Sequence, residues 1–142
     1  MHSDRMPQTH LRHTLPSDAA SWEKLRCLLW PDGASDHGPE IASFFAGTVT
    51  EPAGVLVVET GSDGIVAIAE LSIRTDLAGY EGKRVGYVEG LFVLPEFRGQ
   101  GIARKLLRAS CTWAREQECI AFASDRSERI VIDKDFLGRS HK

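Results

Sequence analysis

The sequence has no long hydrophobic run, few cysteines and no excess of basic residues. No apolar stretch approaches the ~20 residues that a membrane-spanning helix needs, and the polar N-terminus lacks the apolar core of a signal peptide. The three cysteines, Cys27, Cys111 and Cys119, share no CxxC spacing, so neither a disulfide framework nor a zinc site is indicated. We therefore expect a cytoplasmic protein that uses no metal and has no membrane partner.

The charge and the length of the chain further narrow the classes of protein to which it can belong. A formal net charge of −3 and the lack of a basic tract argue against nucleic acid as a partner. A chain of 142 residues with 42% hydrophobic and 26% charged residues is typical of one globular domain. We expect residues 1–142 to form a single domain, with 1–9 as a loose leader and 126–142 as an atypical C-terminal segment.

Hydrophobic periodicity predicts an α/β layout in which a mixed sheet is covered by helices. Alternation predicts a first strand at 11–15, and helical spacing then predicts a helix that ends at Trp30-Pro31. We expect a loop over 32–38 and a second helix from Pro39, because proline favours the first turn of a helix. The remaining predicted elements are strands at 54–60, 65–74, 85–94 and 120–124, and a helix at 101–116.

A strand, a glycine-containing turn and an amphipathic helix follow one another between residues 85 and 116. Gly99 and Gly101 let the backbone approach an anion, and the first turn of the helix offers unpaired amides and the positive end of its dipole. A sharp turn needing the same glycines is the alternative reading. A Walker loop is excluded because Ile102-Ala103 stands where Lys-Ser/Thr is needed. A dinucleotide-binding fingerprint is excluded because this sequence lacks its third glycine.

The run VLPEFRGQGIA at 93–103 resembles the acetyl-coenzyme A motif of the GCN5-related N-acetyltransferases, the GNAT superfamily. The resemblance implies a GNAT fold, with a mixed and mostly antiparallel sheet flanked by helices, and acetyl-CoA as co-substrate. It also implies where the cofactor binds: the backbone of Phe92 and Val93 along pantetheine, and the amides of Arg98, Gly99, Gln100, Gly101, Ile102 and Ala103 on the pyrophosphate.

Shorter fragments extend the resemblance over roughly residues 10 to 125. They are LWP at 29–31, SIR at 72–74 with Asp76, VEGLFV at 88–93 and ASD at 123–125. In this order they are similar to the aminoglycoside 6'-N-acetyltransferases. The implied activity is acetyl transfer to a primary amine of a small polycation, the 6'-amine of an aminoglycoside antibiotic. No Cys or Ser stands beside a base in the motif region, so direct attack in a ternary complex is expected.

Three residues are candidates for handling the acceptor. Glu89 is a carboxylate inside an apolar strand, and it either forms a structural salt bridge, for example with Arg74, or binds the acceptor ammonium and accepts its proton through water. Asp125 follows a strand and is either a turn residue or, by the resemblance, a contact to aminoglycoside amines. Trp30, near Asp32 and Asp36, is either a core anchor or one wall of a polycation site.

The resemblance breaks after Asp125. The family continues with a further helix, whereas residues 127–133 here resemble its terminal strand, and Asp133 stands where many relatives carry a tyrosine acid. We expect a homodimer that covers the shortened sheet, with the strand at 130–132 a candidate for exchange between subunits. Two rival functions stay open: acetylation of a polyamine or peptide amine, and a non-catalytic coenzyme A-binding module.

Overall fold

The computed structural model describes residues 8–124 and the backbone of residues 131–132. Among these residues, six strands form one sheet in chain order: β1 (Thr9–His13), β2 (Gly54–Thr60), β3 (Gly64–Arg74), β4 (Val85–Val93), β5 (Ala121–Ser124) and β6 (Val131–Ile132). Every neighbouring pair is antiparallel except β4 and β5, which run parallel. The predicted mixed, mostly antiparallel sheet is confirmed.

Three helices cover both faces of the sheet, namely α1 (Ala19–Leu29), α2 (Ala34–Ala46) and α3 (Ile102–Glu116). Alternate residues of β2 point to opposite faces, as the period of two in a strand requires, so that both faces of this strand are buried. Val55 and Val57 pack with Trp22 of α1, and Leu56 and Val58 belong to the core that includes α3. The sheet is therefore a central layer between α1/α2 and α3.

Several boundaries differ from the sequence predictions, most of them by one residue, and two starts differ by more. The first strand begins at Thr9 rather than Leu11, and α2 begins at Ala34 rather than Pro39. The predicted loop at 32–38 is therefore wrong beyond the short 3-10 turn Pro31–Gly33. Pro39 is tolerated inside the helix because the residue before it is Gly38, which has no Cβ to clash with the proline ring.

Candidate active site

β4 contains a β-bulge that singles out Glu89. Leu71 of β3 lies opposite Val88 and Glu70 lies opposite Gly90, so Glu89 is the extra residue between them. A bulge bends its strand and increases the local twist. It directly follows the β4 residues that pair with the described part of β5, which are Val85 to Val88. In the described part of the chain, the edge of β4 beyond Glu89 therefore has no strand beside it.

A groove with a volume of about 560 Å³ begins along this open edge and reaches the start of α3. We call it the cofactor groove; it is lined by Leu91, Val93, Phe97, Arg98, Gly99, Gly101, Ile102, Ala103 and Arg104. Strand residues form one end of the groove and the N-terminus of a helix forms the other. This arrangement suits a ligand with an extended arm and an anionic group.

Two glycines shape the anion end of the cofactor groove. Gly99 and Gly101 have φ of +78° and +83°, which places both in the left-handed region that favours glycine. A Cβ added at either position would meet no atom within 4 Å, so the space before the helix is open to a ligand. Lys105 N–H donates to Gly101 O (3.0 Å), and the amides before Lys105 lie in the first turn, where α-helical amides lack intrahelical partners.

Arg98 is used differently from the sequence expectation. Its amide donates to Pro95 O (3.2 Å), which leaves the amides from Gly99 onward as the candidate donors to a pyrophosphate. Its side-chain Nε donates to Val93 O (2.8 Å), and the guanidinium lies 5.2 Å from the centre of the Phe92 ring. Arg98 therefore ties the turn to the end of β4 while its charge remains beside the groove.

A basic groove of about 410 Å³ adjoins the cofactor groove and shares Gly101, Ile102 and Arg104 with it. Its other lining residues are Thr9, Gln100, Lys105 and Arg108. Lys105 Nζ donates to Thr9 Oγ1 (3.0 Å), which links α3 to the edge strand β1. Three cations in the first two turns of α3 favour a further anionic group beside the helix N-terminus.

Glu89 is half-buried and strongly held. Its two carboxylate oxygens accept hydrogen bonds from Arg74 Nε (2.9 Å) and Nη2 (2.8 Å), and Ser72 Oγ also donates to it. Desolvation acts to raise the pKa of Glu89, but the hydrogen bonds from Arg74 and Ser72 and the charge of Arg74 outweigh it, so the pKa is lowered. Glu89 is thus an ionised carboxylate at neutral pH, and the salt bridge to Arg74 that the sequence suggested is present.

Glu89 also lines an acidic cleft on the other side of the bulge. Two adjoining hollows of about 400 and 360 Å³ share Glu51 and Glu89. The first is lined by Arg26, Trp30, Glu40, Val49, Glu51, Pro52, Glu70 and Glu89, and the second adds Ile73, Arg74, Thr75 and Asp76. Five carboxylates face only two guanidinium groups here, so the acidic cleft favours a cationic ligand.

Trp30 forms a wall of this cleft directly against the backbone of β4. A Cβ built on Gly90 would lie 2.6 Å from Cη2 and 2.7 Å from Cζ2 of the Trp30 ring. Only glycine therefore permits this contact, which sets the indole beside the bulged Glu89. The guanidinium of Arg26 lies 5.4 Å from the centre of the indole on α1's side of the cleft.

A buried network fixes the floor of the acidic cleft. Arg26 donates to both oxygens of Glu70 (2.7 and 2.8 Å) and to Glu40, and Trp22 Nε1 also donates to Glu70 (2.7 Å). The hydrogen bonds to Glu70 do most to raise the pKa of Arg26, against the opposing effect of burial. His37 Nε2 donates to Trp30 O (2.9 Å), which orients the segment carrying the indole. The network joins α1, α2 and β3.

The structure brings together most of the predicted site residues. Glu89 and Trp30 line the acidic cleft, and the cofactor groove or the adjoining basic groove includes Val93, Arg98 and each residue from Gly99 to Ala103. Phe92 lies beneath the guanidinium of Arg98 rather than in a groove lining. Asp32 and Asp36 are exposed and absent from the lining of the acidic cleft. Asp125 and Asp133 lie outside the described residues, as do the possible helix deletion and the chain end.

Sequence reasoning did not identify four of the cleft carboxylates as site residues: Glu40, Glu51, Glu70 and Asp76. Glu70 carried the same signal as Glu89, a carboxylate inside an apolar strand. Glu51 and Glu40 had no such signal, since an acidic residue in a loop or on a helix surface is common.

Within residues 8–124, no group of His, Cys, Asp and Glu side chains has the arrangement of a metal site. No described helix is long and apolar enough to cross a membrane.

Comparisons with known proteins agree with this geometry. Residues 19–131 match the acetyltransferase (GNAT) family. The aminoglycoside N(6')-acetyltransferase type 1 of Klebsiella aerogenes is 42% identical over 110 residues, which cover 77% of this chain and 72% of that protein.

Solved structures give the same result. An aminoglycoside antibiotic 6'-N-acetyltransferase from Acinetobacter baumannii is 33% identical, with a TM-score of 0.73 over 84% of this chain and 80% of that one. Aminoglycoside N-acetyltransferase AAC(6')-Iy in complex with the bisubstrate analogue CoA-S-monomethyl-acetylneamine is 30% identical, with a TM-score of 0.65 over the same shares of the two chains. The chain therefore belongs to the GNAT family and is an acetyl-CoA-dependent N-acetyltransferase.

Proposed function

We propose that this enzyme transfers the acetyl group of acetyl-CoA to the 6'-amine of an aminoglycoside antibiotic. One observation carries the proposal: β4 runs from the acidic cleft at Glu89 to the cofactor groove at Leu91 and Val93. At about 3.3 Å per residue, Glu89 and Leu91 are separated by about 7 Å along the strand. A cation in the cleft and an acyl donor in the groove would therefore meet at the bulge.

The cofactor end uses backbone donors and a helix terminus. Amides from Gly99 onward and the basic side chains of Arg104, Lys105 and Arg108 supply positive potential for the phosphates without a metal. The open edge of β4, including Phe92 and Val93, is proposed to lie along the pantetheine arm. Acetyl-CoA supplies the activated thioester, and the groove holds it at the edge of the strand.

The acceptor end uses carboxylates. An aminoglycoside carries several ammonium groups, and the acidic cleft offers Glu40, Glu51, Asp76 and Glu89 at different points around it. Glu89 is proposed to bind the reacting ammonium. Because its pKa is lowered, Glu89 is a weak proton acceptor, so the amine's proton would leave through water that Glu89 orients. Asp125 is proposed as a further contact to the acceptor amines, and Trp30 as the wall beside them.

Direct attack by the amine on the thioester is the proposed route. Ser72 is the hydroxyl nearest to Glu89, but it is fully buried and donates its hydrogen to that carboxylate, so it anchors Glu89. The thiol of Cys119 is buried, and burial raises its pKa, which lowers its reactivity. Proximity of the two substrates at the bulge would then supply much of the rate.

A matched pair of antibiotics tests the proposal. Neomycin and paromomycin share a polycationic framework and differ in carrying an amine or a hydroxyl at the 6' position. We expect acetyl-CoA-dependent thiol release with neomycin and none with paromomycin, and a single added acetyl group by mass spectrometry. Equal turnover of both would place the acetyl group on an amine other than the 6'-amine. Turnover of polyamines or peptides alone would support the rival function, acetylation of a polyamine or peptide amine. Binding of acetyl-CoA by calorimetry without turnover of any amine would support the non-catalytic module.

We also propose a homodimer located in the cytoplasm. Among the described residues the sheet ends on one side at β6, and a second copy would extend the cover there. β6 pairs with β5, and the same pairing could form between two copies if this strand is exchanged. Three free cysteines suit a reducing compartment. Light scattering that gives the mass of one chain would exclude the dimer.

A further inference from the structure

Arg74 occupies both oxygens of the carboxylate that the proposed function assigns to the acceptor ammonium. It is the last residue of β3, and its Nε and Nη2 contact Oε2 and Oε1 of Glu89 at 2.9 and 2.8 Å. Its guanidinium lies 3.8 Å from the centre of the Tyr87 ring. Without an acceptor, the reacting end of the acidic cleft therefore already holds a cation of the protein's own.

Arg74 differs from Arg26, the other arginine in the cleft. The Arg26 side chain is 8% exposed and donates to Glu70 and Glu40, so it is fixed within the fold. The Arg74 side chain is 37% exposed and lies where β3 passes into a loop. Asp76 lines the same hollow two residues later and offers a second carboxylate to a guanidinium that leaves Glu89. Arg74 can therefore move without leaving a buried charge unpaired.

We propose that Arg74 competes with the acceptor ammonium for Glu89 and so weakens the binding of every amine, so that only acceptors with several positive charges keep a useful affinity. This inference rests on the proposed function, because it requires an amine at Glu89. A monoamine that displaces Arg74 exchanges one cation for another at the carboxylate and gains little. A polycation also reaches Glu51, and this added contact favours the exchange.

The test compares two acceptors with the same reacting group. One is neomycin, and the other is methyl 6-amino-6-deoxyglucoside, a single ring with a single amine. If Arg74 covers Glu89 for about nine-tenths of the time, its removal increases the apparent affinity for the monoamine about tenfold. We expect Arg74→Gln to lower KM about tenfold for both acceptors, because either one must displace Arg74 from Glu89.

Arg12→Gln is the matched control. Arg12 also forms a bidentate pair with a carboxylate, that of Asp18, but it lines neither the acidic cleft nor the cofactor groove. Its KM for both acceptors should equal that of the unaltered enzyme. An Arg74→Gln KM for either acceptor that is within twofold of the value for the unaltered enzyme, or above it, overturns the proposal. If the unaltered enzyme acetylates no amine, the proposed function fails and this inference fails with it.

A second measurement uses the unaltered enzyme and does not depend on how the variant folds. The Nε–H resonance of Arg74 in ¹⁵N-labelled protein, assigned by its loss in Arg74→Lys, reports the hydrogen bond to Glu89. Saturating neomycin should shift this resonance and increase its exchange with water as the guanidinium leaves Glu89. An unchanged resonance at saturation would show that Arg74 stays on Glu89, and would overturn the proposal even if neomycin is acetylated.

Discussion

Glu89 is ionised at neutral pH, and its lowered pKa makes it a weak base. A carboxylate with a lowered pKa binds an ammonium well but accepts its proton poorly. Glu89 could be singled out from the sequence because a charged residue inside an apolar strand is costly unless it is paired or functional. Arg74 could be suggested as its partner on the same ground. It could not show that Glu89 occupies a bulge, since a bulge depends on the register of two strands.

Gly90 is the residue on which the acceptor wall depends most sharply. In Gly90→Ala the new Cβ would overlap the Trp30 ring, at 2.6 Å from Cη2, and would lie 3.0 Å from Cδ2 of Leu29. We expect a loss of about 1–3 kcal/mol in the free energy of unfolding, as in other overpacked sites, together with a higher KM for the acceptor. Denaturant unfolding and steady-state kinetics measure the two effects.

Gly61→Ala is the control for that substitution. A Cβ on Gly61 meets no atom within 4 Å, and its φ lies outside the left-handed region. This variant should keep the stability and the acceptor KM of the unaltered enzyme. Equal behaviour of the two variants would mean that Trp30 does not depend on the absence of a Cβ at Gly90.

At the scale of elements, the turn from β4 into α3 is the feature that the sequence predicts most directly. Its glycines, its proline and the helix that follows occur in one continuous run, so the cofactor groove could be predicted from residues 93–103. The acidic cleft could not, because its carboxylates come from α2, the loop before β2, the strands β3 and β4, and the loop after β3. Asp32 and Asp36 were chosen for their nearness to Trp30 in sequence, which does not place them in the cleft.

The left-handed conformation at Gly101 gives a test of the cofactor groove. In Gly101→Ala, a φ of +83° would cost about 1–2 kcal/mol, so the turn would relax and the amides at the start of α3 would turn away from the groove. We expect Kd for coenzyme A to rise about tenfold, which corresponds to about 1.4 kcal/mol of lost binding energy. Calorimetric titration with coenzyme A measures this change.

Gly64→Ala provides the same backbone strain elsewhere. Gly64 has a φ of +73° in the hairpin between β2 and β3, and a Cβ there also meets no atom within 4 Å. Its stability should fall about as much as that of Gly101→Ala, while its Kd for coenzyme A stays unchanged. A similar loss of coenzyme A binding in both variants would attribute the effect to general destabilisation.

At the scale of the whole molecule, the sheet joins two sites of opposite charge. The cofactor groove carries the N-terminus of α3 and Arg104, and the acidic cleft carries five carboxylates. Helices on opposite faces supply them, since α1 and α2 contribute to the cleft and α3 to the groove. The strand β4 supplies residues to both, Glu89 to the cleft and Leu91 and Val93 to the groove. We therefore predict that ligands of the two sites are held end to end.

The binding of a bisubstrate ligand tests whether the cofactor groove and the acidic cleft adjoin at Glu89. A compound that joins the sulphur of coenzyme A to the 6'-nitrogen of an aminoglycoside would place one half in each site. If the sites adjoin at Glu89, calorimetry should give a Kd at least about 100-fold below that of either half alone, because the second half then binds as part of the same molecule. A bisubstrate Kd no lower than that of coenzyme A alone would contradict the account.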